Sequence, residues 1–176
     1  MGQFRRAGSG AAVTTVVLGA ILASGTGDSR AASRTADAAP LTMQFGAVTV
    51  QSIRLNVGVP AASIGDRLVF SHTLTDIKDS KTVGLSGLEC ALTSVTTSKP
   101  KGDKKPVTSA RSHCVATIVL TDGQIAAQGL TDLTDPAGNF ELAVTGGTGK
   151  YSGAAGTLRK AGGKDKGIYT VDVTTD

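Results

Sequence analysis

Between Gly146 and Leu158 the chain reads GGTGKYSGAAGTL, and so dense a glycine pattern between two apolar segments dictates a backbone path. A residue without a Cβ takes positive φ freely and lets another backbone approach closely. Gly146, Gly147, Gly149, Gly153 and Gly156 are therefore expected at turns and tight packing points. Glycine-rich loops also cradle phosphates, but the spacing here excludes that use. In a Walker A loop the leading glycine would stand at Val144, and Tyr151 would have to be Ser or Thr. A dinucleotide fingerprint through Gly147 and Gly149 would need glycine at Ser152 and a helix after it, whereas the flanks read as strands.

The strand pattern extends over most of the sequence. From Phe45 onward, short apolar and alternating runs are broken by Gly, Pro, Asp, Asn and Lys turns, and no long stretch has helical period. The expected strands are Val48 to Val57, Arg67 to Thr75, Thr82 to Ser86, Leu88 to Thr97, Ser109 to Leu120, Gln124 to Leu130, Asn139 to Thr145, Ala154 to Arg159 and Gly167 to Val173. Eight or nine strands in succession, mostly joined by short turns, favour an all-β, antiparallel up-and-down barrel, which leaves no exposed edge.

Before that domain comes a different kind of sequence. Arg5 and Arg6 precede an uncharged apolar run from Ala11 to Ala23, then a small and polar stretch to Pro40, the layout of a secretory signal peptide and spacer over residues 1–39. The run is too short for a transmembrane span. Cleavage has several small-residue options, Ala36-Asp37-Ala38 among them, and the arginine pair hints at twin-arginine export. The barrel domain is expected to occupy residues 40–176, and the protein to be extracellular.

The leader also bears on the charge. The full chain has 18 Lys and Arg against 14 Asp and Glu, a net +4, but four of those basic residues (Arg5, Arg6, Arg30, Arg34) and two acidic ones (Asp28, Asp37) lie in the leader. The remainder is close to neutral. With no Trp and few other aromatics to stack on bases, nucleic acid is not expected as a partner.

Two cysteines in an exported chain point to one disulfide, Cys90 to Cys114. The alternative is a metal site made by these thiols with His72 and His113. His113 and Cys114 are strand neighbours, so they face opposite sides, which weighs against it. In the run RLVFSHTLT, Leu68, Phe70, His72 and Leu74 share one face, which sets an imidazole among apolar side chains. Leu88, Cys90 and Leu92 share a face, as do Cys114, Ala116, Ile118 and Leu120. The connection from Ser98 to Thr108 carries Lys99, Lys101, Lys104 and Lys105 with two prolines and reads as a solvated hairpin tip. Asp66 is expected to order the turn before its strand by bonding backbone amides, and Tyr151 to pack over the glycine hairpin.

Taken in order, these segments resemble the allene oxide cyclase and dirigent barrel superfamily. Gly146, Gly147, Thr148 and Gly149, then Tyr151, then Gly153, Ala154 and Gly156 match its late hairpin. Upstream, Gly65-Asp66 opens a strand through Val69-Phe70 and Leu74. Val83-Gly84 leads to Gly87-Leu88 and Cys90, and Gly123 to Ile125 leads to Gln128-Gly129. The resemblance spans Gly65 to Leu158. It implies an eight-stranded calycin-like barrel that binds a small, largely apolar molecule in its interior or mouth, works with neither a metal nor an organic cofactor, and assembles as a dimer or trimer. Relatives cyclise an unsaturated epoxide or steer phenoxy-radical coupling.

Several family positions differ here. No Asp or Glu occurs between Ala38 and Gly65, where cyclases of the family carry a first-strand carboxylate. His72 stands at the position of a family Asn, and Thr131 at that of a Tyr. The paired acids of dirigent proteins are replaced by Ser71 and His72, and their arginines by Lys150, Ser152 and Ala155. His72, Gln128 and Thr131 are left as the candidate pocket residues, with no catalytic residue assigned. The expected function is a secreted barrel that binds a hydrophobic metabolite and promotes its cyclisation or isomerisation by confinement. The alternative is a non-enzymatic extracellular or cell-surface interaction protein using the barrel exterior and the basic loop.

Overall fold

A computed structural model describes residues 39–58, 62–98, 107–132, 134–135, 137–163 and 165–175. The expected leader, and the four lysines of the basic loop, lie outside them. Eight strands follow one another: β1 (Leu41–Leu55), β2 (Arg67–Asp76), β3 (Thr82–Ser98), β4 (Val107–Leu120), β5 (Gly123–Asp132), β6 (Phe140–Gly149), β7 (Ala155–Ala161) and β8 (Lys166–Thr174). Each pairs antiparallel with its sequence neighbour, and β1 pairs with β8, so the sheet closes into an up-and-down barrel.

Closure explains the alternation. A closed sheet has one inner and one outer face, and period-two side chains divide between them. Phe45, Leu74, Ile118, Ile125, Leu142, Leu158, Tyr169 and Val171 fill the inside, each aliphatic one contributing roughly 1.5–3 kcal/mol by leaving water. The face read from RLVFSHTLT is the inner one, with His72 and Leu74 buried. Register shifts between Thr49 and Gln51, Leu74 and Thr75, Leu92 and Ser94, and Ala126 and Ala127 mark bulges, which supply the local twist a small barrel needs.

Three strand expectations need correction. The runs Thr82 to Ser86 and Leu88 to Thr97 are one strand: Gly87 lies opposite Ser71 and Thr117 with no interruption, because a glycine facing outward costs the ladder no hydrogen bond. β1 starts at Leu41 rather than Val48, since the segment Leu41 to Ala47 provides the pairing with β8 that closes the barrel. β6 runs on to Gly149, so Gly146 and Gly147 are strand residues and not part of the turn.

The glycine segment nonetheless seals one end of the barrel. A Cβ at Gly147 would stand 2.3 Å from the Tyr151 carbonyl oxygen, and one at Gly156 would stand 1.9 Å from that of Asp172. The turn folds Tyr151 back under the hairpin, where it is buried, and its hydroxyl donates to Asp122 Oδ1 at 2.9 Å. Burial and that carboxylate push the Tyr151 hydroxyl up to about 12, so it packs and donates as expected of it and stays protonated.

Cys90 and Cys114 lie directly opposite each other on β3 and β4 and are joined by a disulfide with Cα atoms 4.0 Å apart. The thiolates of the alternative metal set are thereby absent, and His113 lies on the exposed face while His72 lies inside.

Candidate functional site

A cavity opens at the end of the barrel opposite the glycine hairpin, beside the connection between β5 and β6. It has a volume of about 260 Å³. Its apolar lining comes from Leu68 and Phe70 of β2, Leu88 of β3 and Phe140 of β6. Leu68, Phe70 and Phe140 are partly buried and pack against the core, in which Leu74, Ile118 and Leu142 are fully buried.

His72 is set into this wall at 3% exposure. Its partner across the ladder, Ser86, is buried too, and Ser86 Oγ lies 3.1 Å from His72 Nδ1. The hydroxyl of Tyr169, reaching over from β8, lies 3.3 Å from the same nitrogen. Phe70 stacks on the imidazole at 6.2 Å, and Tyr169 meets it edge-on at 5.6 Å. Two hydroxyls and two aromatic rings thus fix the orientation of the ring. Burial holds the His72 pKa below the ordinary histidine value, and the charge of Lys160 lowers it further, against an opposing hydrogen bond in which the Ser86 backbone accepts from the ring. At neutral pH the imidazole is therefore uncharged. Burial pushes the Tyr169 hydroxyl up to about 12, which keeps it a proton-bearing group beside the ring.

Lys160 is the second polar group of the wall, and its side chain is only 5% exposed as a residue. It lies between Phe140 and Tyr169 across the sheet. Its Nζ donates to the carbonyl oxygens of Gly163 at 2.7 Å and Gly138 at 3.3 Å, which tie β7 to two of the connections above the cavity. Asp132, Asp135 and Asn139 complete the polar lining. The Asp132 carboxylate already accepts from Thr134, and Asp135 accepts from the backbone amides of Ala137 and Asn139.

Beside the cavity, Asp66 organises the connection between β1 and β2. Fully buried, it accepts from Arg54 at 2.8 Å, from the backbone amides of Val57 and Ser63, and from the Ser63 hydroxyl. The Arg54 guanidinium, first among these donors, holds the carboxyl well below the usual carboxylate range. The turn-ordering role expected of Asp66 is the one it performs.

Of the three residues singled out from sequence, His72 lines the cavity. Gln128 lies opposite Val115 and Ala143 on the exposed outer face of β5. Thr131 is half-buried on the inner side, opposite Ser112, and is not part of the cavity lining. Ser112 Oγ is the single buried side-chain polar atom without a hydrogen-bond partner among the described residues. Also among the described residues, no group of three or more His, Cys, Asp or Glu side chains is arranged to hold a metal ion.

Sequence reasoning missed Lys160, Ser86 and Tyr169. The signal for Lys160 is present in GTLRKA: Leu158 and Lys160 are two apart, so one inward residue implies the other. Ending the strand at Arg159 hid it.

The architecture has known counterparts. Residues 46–174 match the allene oxide cyclase barrel like domain. The chain belongs to that family. Among solved structures it is similar to a pyocyanin demethylase, with 31% identity over 75% of this chain and 99% of that one and a TM-score of 0.62. An exo-specific intermolecular Diels-Alderase matches at 16% identity over 77% of this chain and 98% of that one, TM-score 0.57. A pterocarpan synthase dirigent protein matches at 17% identity over 77% and 83%, TM-score 0.51. At these lower identities the likeness is one of fold. No curated protein matches the chain.

Proposed function

We propose that the barrel receives a small, largely apolar molecule through its open end and promotes cyclisation or isomerisation by confining it. The observation that carries this reading is the cavity itself, with four apolar side chains and one oriented, neutral imidazole in its wall. A flexible molecule held folded between Phe70, Phe140, Leu68 and Leu88 has already lost the conformational entropy that opposes ring closure. The chemistry available to this wall is hydrogen bonding to charge as it develops, by His72 with Tyr169 and Ser86 behind it. No carboxylate takes part from β1, which contains neither Asp nor Glu. A pyocyanin demethylase with the same fold and 31% identity supports a small-molecule role without fixing the reaction.

Export is part of the proposal: the leader pattern and the Cys90–Cys114 disulfide both suit an oxidising, extracellular setting. The test is to recover the protein from its native source and identify retained small molecules by mass spectrometry. A compound retained by the natural protein and lost on Leu88→Trp, which fills the cavity, is the expected result. A barrel that retains nothing, or retains the same compound after filling, would overturn the proposal.

A second reading has one observation in its favour. The outer wall of β2 to β5 exposes Val69, Leu85, Val115, Val119 and Leu130, which suits a protein contact better than open water. On that reading the effect of the protein survives Leu88→Trp and is lost on Val115→Lys.

A further inference from the structure

The cavity wall contains a buried cation, Lys160, that forms no ion pair with a carboxylate among the described residues. Lys160 has a whole ammonium to satisfy, with three donor protons, and the Gly138 and Gly163 carbonyls take two of them. None of the ion pairs of the described residues includes it. Asp165 acts on it only through space. Burying a charge this far without a counter-ion is unfavourable, and the protein spends two glycine carbonyls on holding it there. Gly167 leaves room for it: a Cβ at that position would stand 3.3 Å from Nζ.

We infer that Lys160 is the recognition point for an oxyanion on the ligand, and that the cavity selects a compact, conjugated molecule bearing one carboxylate or phenolate. This inference rests on the small-molecule reading of the cavity and narrows it. The volume, about 260 Å³, lies just below the roughly 300–1,000 Å³ usual for small-molecule pockets, which fits two fused rings better than a long chain. Phe70, Phe140 and Leu88 offer such rings apolar contact, and Lys160 stands beside Phe140 in the sheet, so rings and oxyanion are served together. The two aspartates of the lining, held by their own loop, disfavour an anion where they lie and leave the ammonium as the one place for it. His72 lines the same cavity, so an oxyanion held at Lys160 keeps the ligand in the space that the imidazole faces.

The test compares 2-naphthoate with its neutral isostere 2-naphthamide by titration calorimetry on the full-length protein. The expected result is that the natural protein binds naphthoate at least about tenfold more tightly, as a charge-assisted hydrogen bond in a buried site provides. Lys160→Met should bring the two affinities together. Lys160→Gln, which keeps a donor for the glycine carbonyls, should do the same and guards against loss of the fold. Equal affinity in the natural protein, or a preference that survives both substitutions, overturns the oxyanion assignment while leaving the cavity reading in place. Failure of both probes to bind overturns the two together.

Discussion

At the sealed end of the barrel, connections of two to five residues join β2 to β3, β4 to β5 and β6 to β7, and Asp122 holds both Tyr151 and Lys150 there. At the open end the β1–β2 connection runs from residue 56 to 66, and the connections after β3 and β5 are also longer than any at the sealed end. Short turns bring strand ends together and let inward side chains pack solid. Two of the longer connections carry their own internal bonds, through Asp66 and Asp135, and the cavity lies at this end. Stability is concentrated at the first end and binding capacity at the second, the division expected where a rigid scaffold presents variable loops.

The first way to break that comparison is to remove the one covalent tie in the wall. Cys90 and Cys114 are separated by 24 positions, and closing a loop of that size stabilises by about 3–4 kcal/mol in the chain-entropy model. Replacing both by alanine should lower the urea midpoint by the corresponding amount. A loss under about 1 kcal/mol would mean that barrel closure alone already restrains β3 and β4.

Next in size is Gly156→Ala. Its φ of +155° and the 1.9 Å approach of the Asp172 carbonyl to any added Cβ leave no relaxed position for a methyl group. The expected loss is about 2–3 kcal/mol in equilibrium unfolding. Gly146, with nothing within 4 Å of an added Cβ, is the control in the same segment and should tolerate alanine with much less change. Similar losses at both would show that glycine content, and not this particular contact, is what the hairpin needs.

The same contrast governs what could be read from the sequence. Barrel, strand order and sealed end were legible, because period-two patterning and glycine spacing are local signals that closure then exploits. The disulfide was legible for the same reason, as Cys90 and Cys114 are carried on adjacent inner faces. The open-end site was legible only at His72, whose strand showed its inward face plainly. Lys160 escaped because a charged residue at the end of a strand reads as the start of a turn, and only the carbonyls of Gly138 and Gly163, from two different connections, make its inward position tenable. Gln128 shows the converse. Its place in a family motif drew attention to it, yet strand parity sets it on the outer face.

A smaller and more local effect is expected from Tyr151→Phe. It deletes the hydroxyl that donates to Asp122 and leaves the ring packed under the hairpin, so about 1 kcal/mol should be lost. Amide exchange should quicken at Lys150, whose N–H donates to the Asp122 carbonyl oxygen, and stay unchanged around Asp66 at the other end. Faster exchange at both ends would show that the two are coupled and would end the division drawn between them.

The smallest effect tests the open end by pH. His72 is held below its ordinary pKa in the folded protein, mainly by burial, so the unfolded chain takes up this proton first as the solution is acidified. Stability from this group is therefore complete above about pH 6.5, the unfolded value, and is lost as pH falls from there toward the lower folded value. Asp66 has the same sign in a separate window, starting near pH 4, because its carboxyl is also depressed. Urea midpoints measured at intervals between pH 8 and pH 5 should thus decline for the natural protein on the acid side of about 6.5 and be flatter for His72→Gln. Equal slopes would mean that the imidazole titrates as freely in the barrel as in the unfolded chain, and so that Phe70, Ser86 and Tyr169 do not shut it off from water.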